Sequence, residues 1–370
     1  MKNVFKVVLF IVLISIASGC NRSDDPVATP IRDYATQYAA DLAAIQTYLK
    51  THKLPAGLNP NTMQHINFEV VPELDPTSIW GSNATTPNSN VLQLQVEKDD
   101  ITYTIYYLQL QQGTATISKN PCNLDGVLSA YEGQLLDGTV FDSNFYPQSY
   151  LNLGGTIRGW SELFPKFKSG GYTSNPDGSI TYSNFGAGIM FLPSGLGYYS
   201  SSAAAIPAYS PLIFSFKLYE VQRVDNDGDG IPSYLEDRGS STGTTPDGYI
   251  RDNDTTYEDD TDHDGTPDAL DVDDDGDAIL TKEEIKYKIS GNTYYYPYYG
   301  ATVDDPSTPQ DETKGIPRAF TGPLVTITPS PPTTPTTITL PSPVPSDFTD
   351  PTRLRRHLDP LTKPPYLDQF

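Results

Sequence analysis

Cysteine is nearly absent: the 370-residue chain holds two, Cys20 and Cys122, so no disulfide framework organises it. Histidine is scarce as well, at positions 52, 65, 263 and 357, and no Ser-His-Asp or Cys-His set stands out. Positive charge is in short supply, with 24 Lys plus Arg against 46 Asp plus Glu and a net charge of −22. That balance argues against nucleic-acid binding, which needs a basic stripe to neutralise phosphates. Apolar residues make up 37%, below the roughly 45–50% of globular domains, so part of the chain is expected to stay outside a packed core. The acidity is local. Residues 223–284 carry 21 acids against four bases, a net of −17, and the other 308 residues carry only −5.

The first residues have an ordered logic. Lys2 and Lys6 precede an apolar run from Val7 to Ile16, followed by Ala17-Ser18-Gly19-Cys20. This is the charged, apolar, small-residue order of a secretory signal, too short to span a bilayer comfortably. Cys20 after small residues resembles the bacterial lipobox, which implies that residues 1–19 are removed and Cys20 is lipidated. Acyl chains would anchor it at about 0.8 kcal/mol per buried CH₂. The stretch Asn21-Arg22-Ser23-Asp24-Asp25 resembles the acidic tether of some surface-exposed Bacteroidota lipoproteins, and reads equally as a soluble linker. Cys122, left without a partner, is read as a structural thiol.

From Ile31 the apolar positions Tyr34, Tyr38, Leu42, Ile45 and Leu49 follow in steps of three and four, which predicts an amphipathic packing helix ending before Pro55. Residues 56–90 read as loops with short extended pieces. Val91 to Leu110 alternates and is rich in Val, Ile, Tyr and Thr, so it reads as one or two strands. Val127 to Tyr131, Ile189 to Leu192 and Leu212 to Val221 are further strand candidates. The reading is an α+β domain over 98–222, with 20–97 as anchor, tether and accessory helix. Beyond Gly291 come Tyr294 to Tyr299, read as a covering flap, and then Pro/Thr-rich sequence. Fifteen of the 33 prolines fall in the last 70 residues, so 291–370 is expected to be a disordered tail or spacer.

Between Val127 and Ser143 a strand, an Asp137-Gly138 turn and a returning strand ending in Phe141-Asp142-Ser143 form a hairpin signal. Then follow Gly154-Gly155-Thr156-Ile157-Arg158-Gly159-Trp160, Leu192-Pro193-Ser194-Gly195-Leu196-Gly197-Tyr198, Ile206-Pro207 and Leu212-Ile213-Phe214. In order and nearly in spacing, these pieces resemble the FKBP-type peptidyl-prolyl isomerase domain over about 125 residues. The resemblance implies a twisted antiparallel sheet around one short helix, here Trp160 to Phe167 with Pro165 inside it. It implies an aromatic pocket lined by Tyr131, Phe141, Asp142, Ile157, Trp160, Tyr198 and Phe214. Trp160 would form the floor, the Ile157 N–H and the Tyr198 hydroxyl would hold substrate carbonyls, and Asp142 would polarise the site. No catalytic cofactor is implied. The chain departs from the family at Tyr199, where Gly is usual, at Ser149 or Tyr150, where a pocket phenylalanine is common, and in a long loop-like segment from Gly170 to Gly188.

The acidic segment 223–290 repeats a twelve-residue pattern three times. Asp225, Asp227, Asp229 and Glu236 form the first set, Asp260, Asp262, Asp264 and Asp271 the second, and Asp273, Asp275, Asp277 and Glu284 the third. Ligands at positions 1, 3 and 5 converge on a tight turn while the twelfth closes the shell, and hard oxygens in that number suit a structural Ca²⁺. The loops resemble EF-hand loops and the Asp-rich repeats of thrombospondin type-3 and bacterial surface proteins. Pro232 and Pro267 argue against regular exiting helices. Ala278 stands where Gly is usual, which makes the third loop the weakest site.

Together these readings predict a peptidyl-prolyl isomerase acting on X–Pro bonds of unfolded or secreted polypeptides. It would be an outer-membrane lipoprotein, periplasmic or surface-exposed. The competing expectations are a catalytically weak chaperone that grips proline peptides and a Ca²⁺-dependent surface interaction protein.

Overall fold

The structure is a computed structural model that describes residues 30–116, 119–203, 205–237, 259–300, 304, 307, 313–329 and 337–370. Cys20 and the leader and tether around it lie outside those residues. The chain enters through helix α1 (Tyr34–Thr51), followed by the short strands β1 (His52–Lys53) and β2 (Glu69–Val70). Strands β3 (Val91–Lys98) and β4 (Ile101–Gln111) then pair through a two-residue turn at Asp99 and Asp100, φ +54° and +57°. Two successive left-handed residues give the turn a twist that matches its strands. Next come β5 (Gly126–Leu135), β6 (Val140–Asn144), β7 (Leu151–Asn152), helix α2 (Arg158–Leu163), β8 (Gly171–Ser174), β9 (Ile180–Ser183), β10 (Gly186–Leu192) and β11 (Leu212–Gln222).

Among the described residues, β3, β4, β10, β11, β5 and β6 form an antiparallel sheet in that order, with β7 on β5 as its seventh strand. Strand alternation sorts the core. Ile105, Tyr107, Met190, Leu192, Phe214 and Phe216 point to one face, where they meet Trp160, Leu163, Phe164 and Phe167 from α2 and the turn after it. Tyr106, Leu108, Ile189, Phe191 and Ile213 point to the other, where they meet Ile45, Tyr48 and Leu49 of α1 and Ile66, Ile79 and Trp80 of the following loops. The predicted packing helix therefore covers this sheet face together with the loops that follow it. The sheet also starts earlier than the expected boundary at residue 98, because β3 reaches back to Val91.

Two local readings are corrected. The helix expected over Trp160 to Phe167 begins at Arg158 and ends at Leu163; Phe164–Lys166 is a 3₁₀ turn. Pro165 lacks the N–H that would continue an α-helix, which explains the change. The segment expected to be loop-like from Gly170 to Gly188 is a hairpin, Gly171↔Ser183 to Ser174↔Ile180, turning at Asn175 to Gly178.

Beyond β11, α3 (Thr281–Glu284), the hairpin β12 (Lys286–Ile289) and β13 (Asn292–Tyr295), the hairpin β14 (Leu324–Ile327) and β15 (Ile338–Pro341), and α4 (Ser346–Thr349) complete the fold. The Tyr-rich stretch Tyr294 to Tyr299, expected as a flap, supplies core through Tyr296, which is buried with Ile231, Ile285, Tyr287 and Ile316, with Tyr294 and Tyr298 packed against them. Part of the tail also packs instead of forming a solvated spacer, although strands β14 and β15 are exposed or half-buried throughout. Arg356 is fully buried, donates to Asp368 at 3.0 Å and to the Lys286 carbonyl at 3.0 Å, and stacks on the Tyr366 ring at 4.2 Å. Removing one partner of a buried ion pair leaves the other uncompensated, a loss of about 3–5 kcal/mol. Arg356→Ala should lower the unfolding midpoint of the C-terminal region and open 337–370 to protease. Unchanged protection would contradict this packing.

Candidate active site and acidic loops

The pocket lies where α2 meets the sheet. Its cavity of about 550 Å³ is lined by Tyr131, Phe141, Asp142, Ile157, Trp160, Tyr198 and Phe214, so all seven residues expected from the sequence converge. Trp160 is buried, stacked on Phe164 at 4.9 Å below it. The rings of Tyr131 and Phe214 stand edge-on to it at 5.0 and 5.3 Å, both at 89°. Phe141 meets Phe214 edge-to-face at 5.4 Å. Edge-to-face arrangements of this kind satisfy the ring quadrupoles and leave an apolar, shape-defined cup. Gly133 on β5 makes room for it: a Cβ there would fall 2.4 Å from Phe141 and 2.8 Å from Phe214.

The cavity lining also carries polar groups, from Lys98, Tyr131, Asp142, Thr156, Arg158 and Tyr198 among others. The Tyr131 hydroxyl donates to Asp142 Oδ2 at 2.8 Å. Burial, with the Asp142 charge beside it, raises the Tyr131 pKa above the usual phenol range, so Tyr131 is a donor and not a base. Ile157 sits immediately before α2 with extended backbone, where its N–H is not used by the helix. Tyr198 follows the 3₁₀ turn Ser194–Leu196, and that turn is held from the far side. Asp41 of α1, buried, accepts the Ser194 N–H at 2.8 Å and its hydroxyl at 2.6 Å. The packing helix thus places a pocket residue.

Four further lining residues come from outside the matched motifs: Tyr34 at the start of α1, Lys98 at the end of β3, Leu151 on β7, and Tyr199. Leu151, not Ser149 or Tyr150, takes the extra apolar place; the Tyr150 hydroxyl donates to Glu220 instead. Tyr199 has φ +48°, the left-handed region that favours the glycine usual at this position. Its ring stacks on Tyr34 at 4.4 Å and meets Tyr209 at 5.1 Å. Tyr34 carries no local signal of a pocket role, because only the fold brings α1 to the rim.

The three acidic loops repeat one backbone pattern. In the first, Asp225 accepts the Gly230 N–H at 3.1 Å, Asp227 that of Asp229 at 3.2 Å, and Asp229 that of Ile231 at 2.7 Å. The corresponding bonds in the second join Asp260 to Gly265, Asp262 to Asp264 and Asp264 to Thr266. In the third they join Asp273 to Ala278, Asp275 to Asp277 and Asp277 to Ile279. Oxygens of Asp225, Asp227 and Asp229 lie within 4.8 Å of one another, as do those of Asp260, Asp262 and Asp264, and of Asp273, Asp275 and Asp277. Several are buried with no hydrogen-bond partner, among them Asp227 Oδ2, Asp260 Oδ1, Asp273 Oδ1 and Asp275 Oδ2. Such a set fits a hard cation and has little else to bind.

The twelfth positions behave differently. Glu236 groups with Asp229 and Asp274 and lies outside the first triad. Asp271 accepts the Asp273 N–H at 3.0 Å and lies outside the second triad. Glu284 accepts the Tyr366 hydroxyl at 2.7 Å and stands outside the third, with Oε2 buried and unpartnered. Burial, reinforced by neighbouring acids, pushes Asp227 up to about 8, Asp229 and Asp275 to about 7, and Glu236 to about 12. A cation among these carboxylates would restore their ionised forms. As the prolines foretold, loops one and two lead only into the 3₁₀ turns Ser233–Leu235 and Asp268–Leu270.

Comparison with known proteins follows the same division. The chain is 30% identical over 139 residues to a probable FKBP-type peptidyl-prolyl cis-trans isomerase, FkpA, of Neisseria meningitidis serogroup B, covering 36% of this chain and 45% of that protein. It is 32% identical over 141 residues to FkpA, an FKBP-type peptidyl-prolyl cis-trans isomerase of Aeromonas hydrophila, covering 37% of this chain and 47% of that one. Part of this chain is similar to FKBP-type isomerases. It spans about half the length of the curated relatives it matches. The crystal structure of FkpA from Escherichia coli aligns over 36% of this chain and 53% of its own, at 24% identity and a TM-score of 0.28. Residues 226–310 match the family described as BamM C-terminal, a span that starts one residue after Asp225 and takes in the rest of the acidic loops and the β12–β13 hairpin.

At the sixth loop position Gly230 and Gly265 have φ +108° and +98°, and Ala278 is held at +71°. A non-glycine residue in this region costs roughly 1–2 kcal/mol, partly offset by glycine's greater freedom when unfolded. Ala278→Gly should therefore stabilise the protein by up to about 1 kcal/mol in calorimetric melting. A lower melting temperature would show that the third loop is not built on the same strained turn.

Proposed function

We propose that the chain is a peptidyl-prolyl cis–trans isomerase acting on X–Pro bonds of exported polypeptides. In this reading it is held at the bacterial outer membrane through lipid on Cys20, facing the periplasm or the surface, and Ca²⁺ in three acidic loops rigidifies its C-terminal module. The observation that carries the reading is the convergence of Tyr131, Phe141, Asp142, Ile157, Trp160, Tyr198 and Phe214 on one cavity. The similarity to FKBP-type isomerases supports it.

The chemistry follows from the barrier. Rotation about X–Pro costs about 18–20 kcal/mol because the planar amide must surrender its resonance. A twisted amide separates less charge than a planar one, so an apolar cup that excludes water favours the transition state over the ground state. Here the proline ring would rest on Trp160 between Tyr131, Phe141 and Phe214. The Ile157 N–H and the Tyr198 hydroxyl would fix flanking carbonyls, and the Asp142–Tyr131 pair would set the field at the rotating bond. No step requires a nucleophile, a metal or proton transfer. Each ~1.4 kcal/mol of preferential binding of the twisted form is worth a factor of ten in rate.

A second reading is favoured by one observation, the Tyr199–Tyr34 stack at the rim. A mouth narrowed there suits a protein that grips proline segments and turns them over slowly. A protease-coupled X–Pro assay separates the two. The isomerase reading expects acceleration by the wild-type chain and a fall of ten-fold or more in kcat/KM for Trp160→Ala and Phe141→Ala. Binding of proline peptides without acceleration would leave the chaperone reading and remove the enzyme.

A further inference from the structure

Three carboxylates that belong to no single loop meet between the first and the third. Asp229 (fifth position of loop one), Glu236 (its twelfth) and Asp274 (second position of loop three) each bring an oxygen within 4.8 Å of the others. Their exposures are 2%, 4% and 2%. Five of the six oxygens lack a hydrogen-bond partner: Oδ2 of Asp229 and both oxygens of Glu236 and of Asp274. The sixth, Asp229 Oδ1, accepts the Ile231 N–H. Thr281 lies beside Asp274 and accepts its backbone N–H at 3.1 Å, but no hydrogen bond of ordinary geometry reaches the Asp274 carboxylate.

Among the described residues no Lys or Arg forms an ion pair with any of the three. Lys282, the nearby base, donates to the Gly228 carbonyl at 3.0 Å and lies over the Tyr295 ring. Buried carboxylates without donors or counter-charge are among the costliest arrangements a fold can hold. Three buried carboxylates that share one space, with five of their six oxygens unpartnered, call for a cation.

The geometry points to a fourth divalent-cation site, a staple between loops one and three held by Asp229, Glu236 and Asp274 and taking a hard ion of the Ca²⁺ class. Oxygens bound to one Ca²⁺ at roughly 2.3–2.6 Å can stand about 5 Å apart, so this triad has the right spread. All-carboxylate donors disfavour softer metals. Asp229 is also in the triad of loop one, so its carboxylate would bridge two ions. The staple joins loops on either side of residues 238–258, where the adjoining turns Ser233–Leu235 and Asp268–Leu270 already pack together. Glu236 then acts between loops rather than closing its own. Asp274, outside the repeated ligand positions, becomes a ligand through the fold alone.

This inference rests on the reading that the acidic module holds Ca²⁺, and the test separates the two. Native mass spectrometry counts Ca²⁺ on the full chain and on Asp274→Asn, with Asp264→Asn, which alters loop two alone, as the control. The expected result is four ions on the wild type, three on Asp274→Asn with the loop ions kept, and three on Asp264→Asn. Three ions on both the wild type and Asp274→Asn would overturn the staple and leave the loops. No bound Ca²⁺ at all would overturn both. Should Asp274→Asn not fold, anomalous diffraction from wild-type crystals grown with Ca²⁺ decides: a peak amid the three carboxylates supports the site, and filled loops without that peak overturn it.

Discussion

Strands β10 and β11 present apolar side chains to both faces of the sheet, so both faces must be covered. On one side Met190, Leu192, Phe214 and Phe216 can be sealed only by a short element rich in large rings, and α2 with its following turn brings Trp160, Phe164 and Phe167. The cup forms at the margin of that seal, where Phe214 and Tyr131 reach Trp160 in the first turn of α2. On the other side Ile189, Phe191 and Ile213 need α1. Once docked there, α1 places Asp41 under the Ser194 turn and Tyr34 at the cavity rim. The site is thus a by-product of two-sided burial, and its polar atoms are held by elements recruited to cover apolar surface.

The C-terminal module solves the opposite problem. It has a small core around Tyr287 and Tyr296 and a large surplus of carboxylates, many of them buried. Where cations are available from the chain they are used: Arg356 against Asp368, Arg353 against Asp347, Lys363 against Asp277. Among the described residues Asp225, Asp227, Asp260, Asp262, Asp264, Asp273 and Asp275 form no ion pair and converge on one another in the loop triads, the third of which Lys363 touches at Asp277. The net charge of −22 is therefore a concentrated feature, with −17 of it in residues 223–284.

What could be read from the sequence were the features written in consecutive residues. The Phe141-Asp142 and Gly159-Trp160 pieces carried the pocket, the Asp137-Gly138 turn carried the hairpin, and the Asp spacings carried the three loop triads. What could not be read was made by distant contacts. Tyr34, Lys98 and Leu151 join the cavity only because α1 packs on the sheet that holds β3 and β7. Asp274 meets Asp229 and Glu236 only when two loops pack. The tail misled by composition, since proline and threonine hide Arg356, whose burial depends on Asp368 and on a carbonyl of β12. The β8–β9 hairpin was signalled by Asn175-Pro176-Asp177-Gly178, yet its strands are largely exposed and carry no clean apolar alternation.

The proposed role of the cup floored by Trp160 is to receive a proline ring. The chain has two tryptophans, Trp80 and Trp160, packed against opposite faces of the sheet, so intrinsic fluorescence can distinguish them. Titrating a short X–Pro peptide into the wild type and into Trp80→Phe and Trp160→Phe variants gives a direct reading. The expected result is a saturable change in emission that survives Trp80→Phe and disappears in Trp160→Phe. A change that follows Trp80, or peptide binding that leaves Trp160 emission untouched, would contradict it.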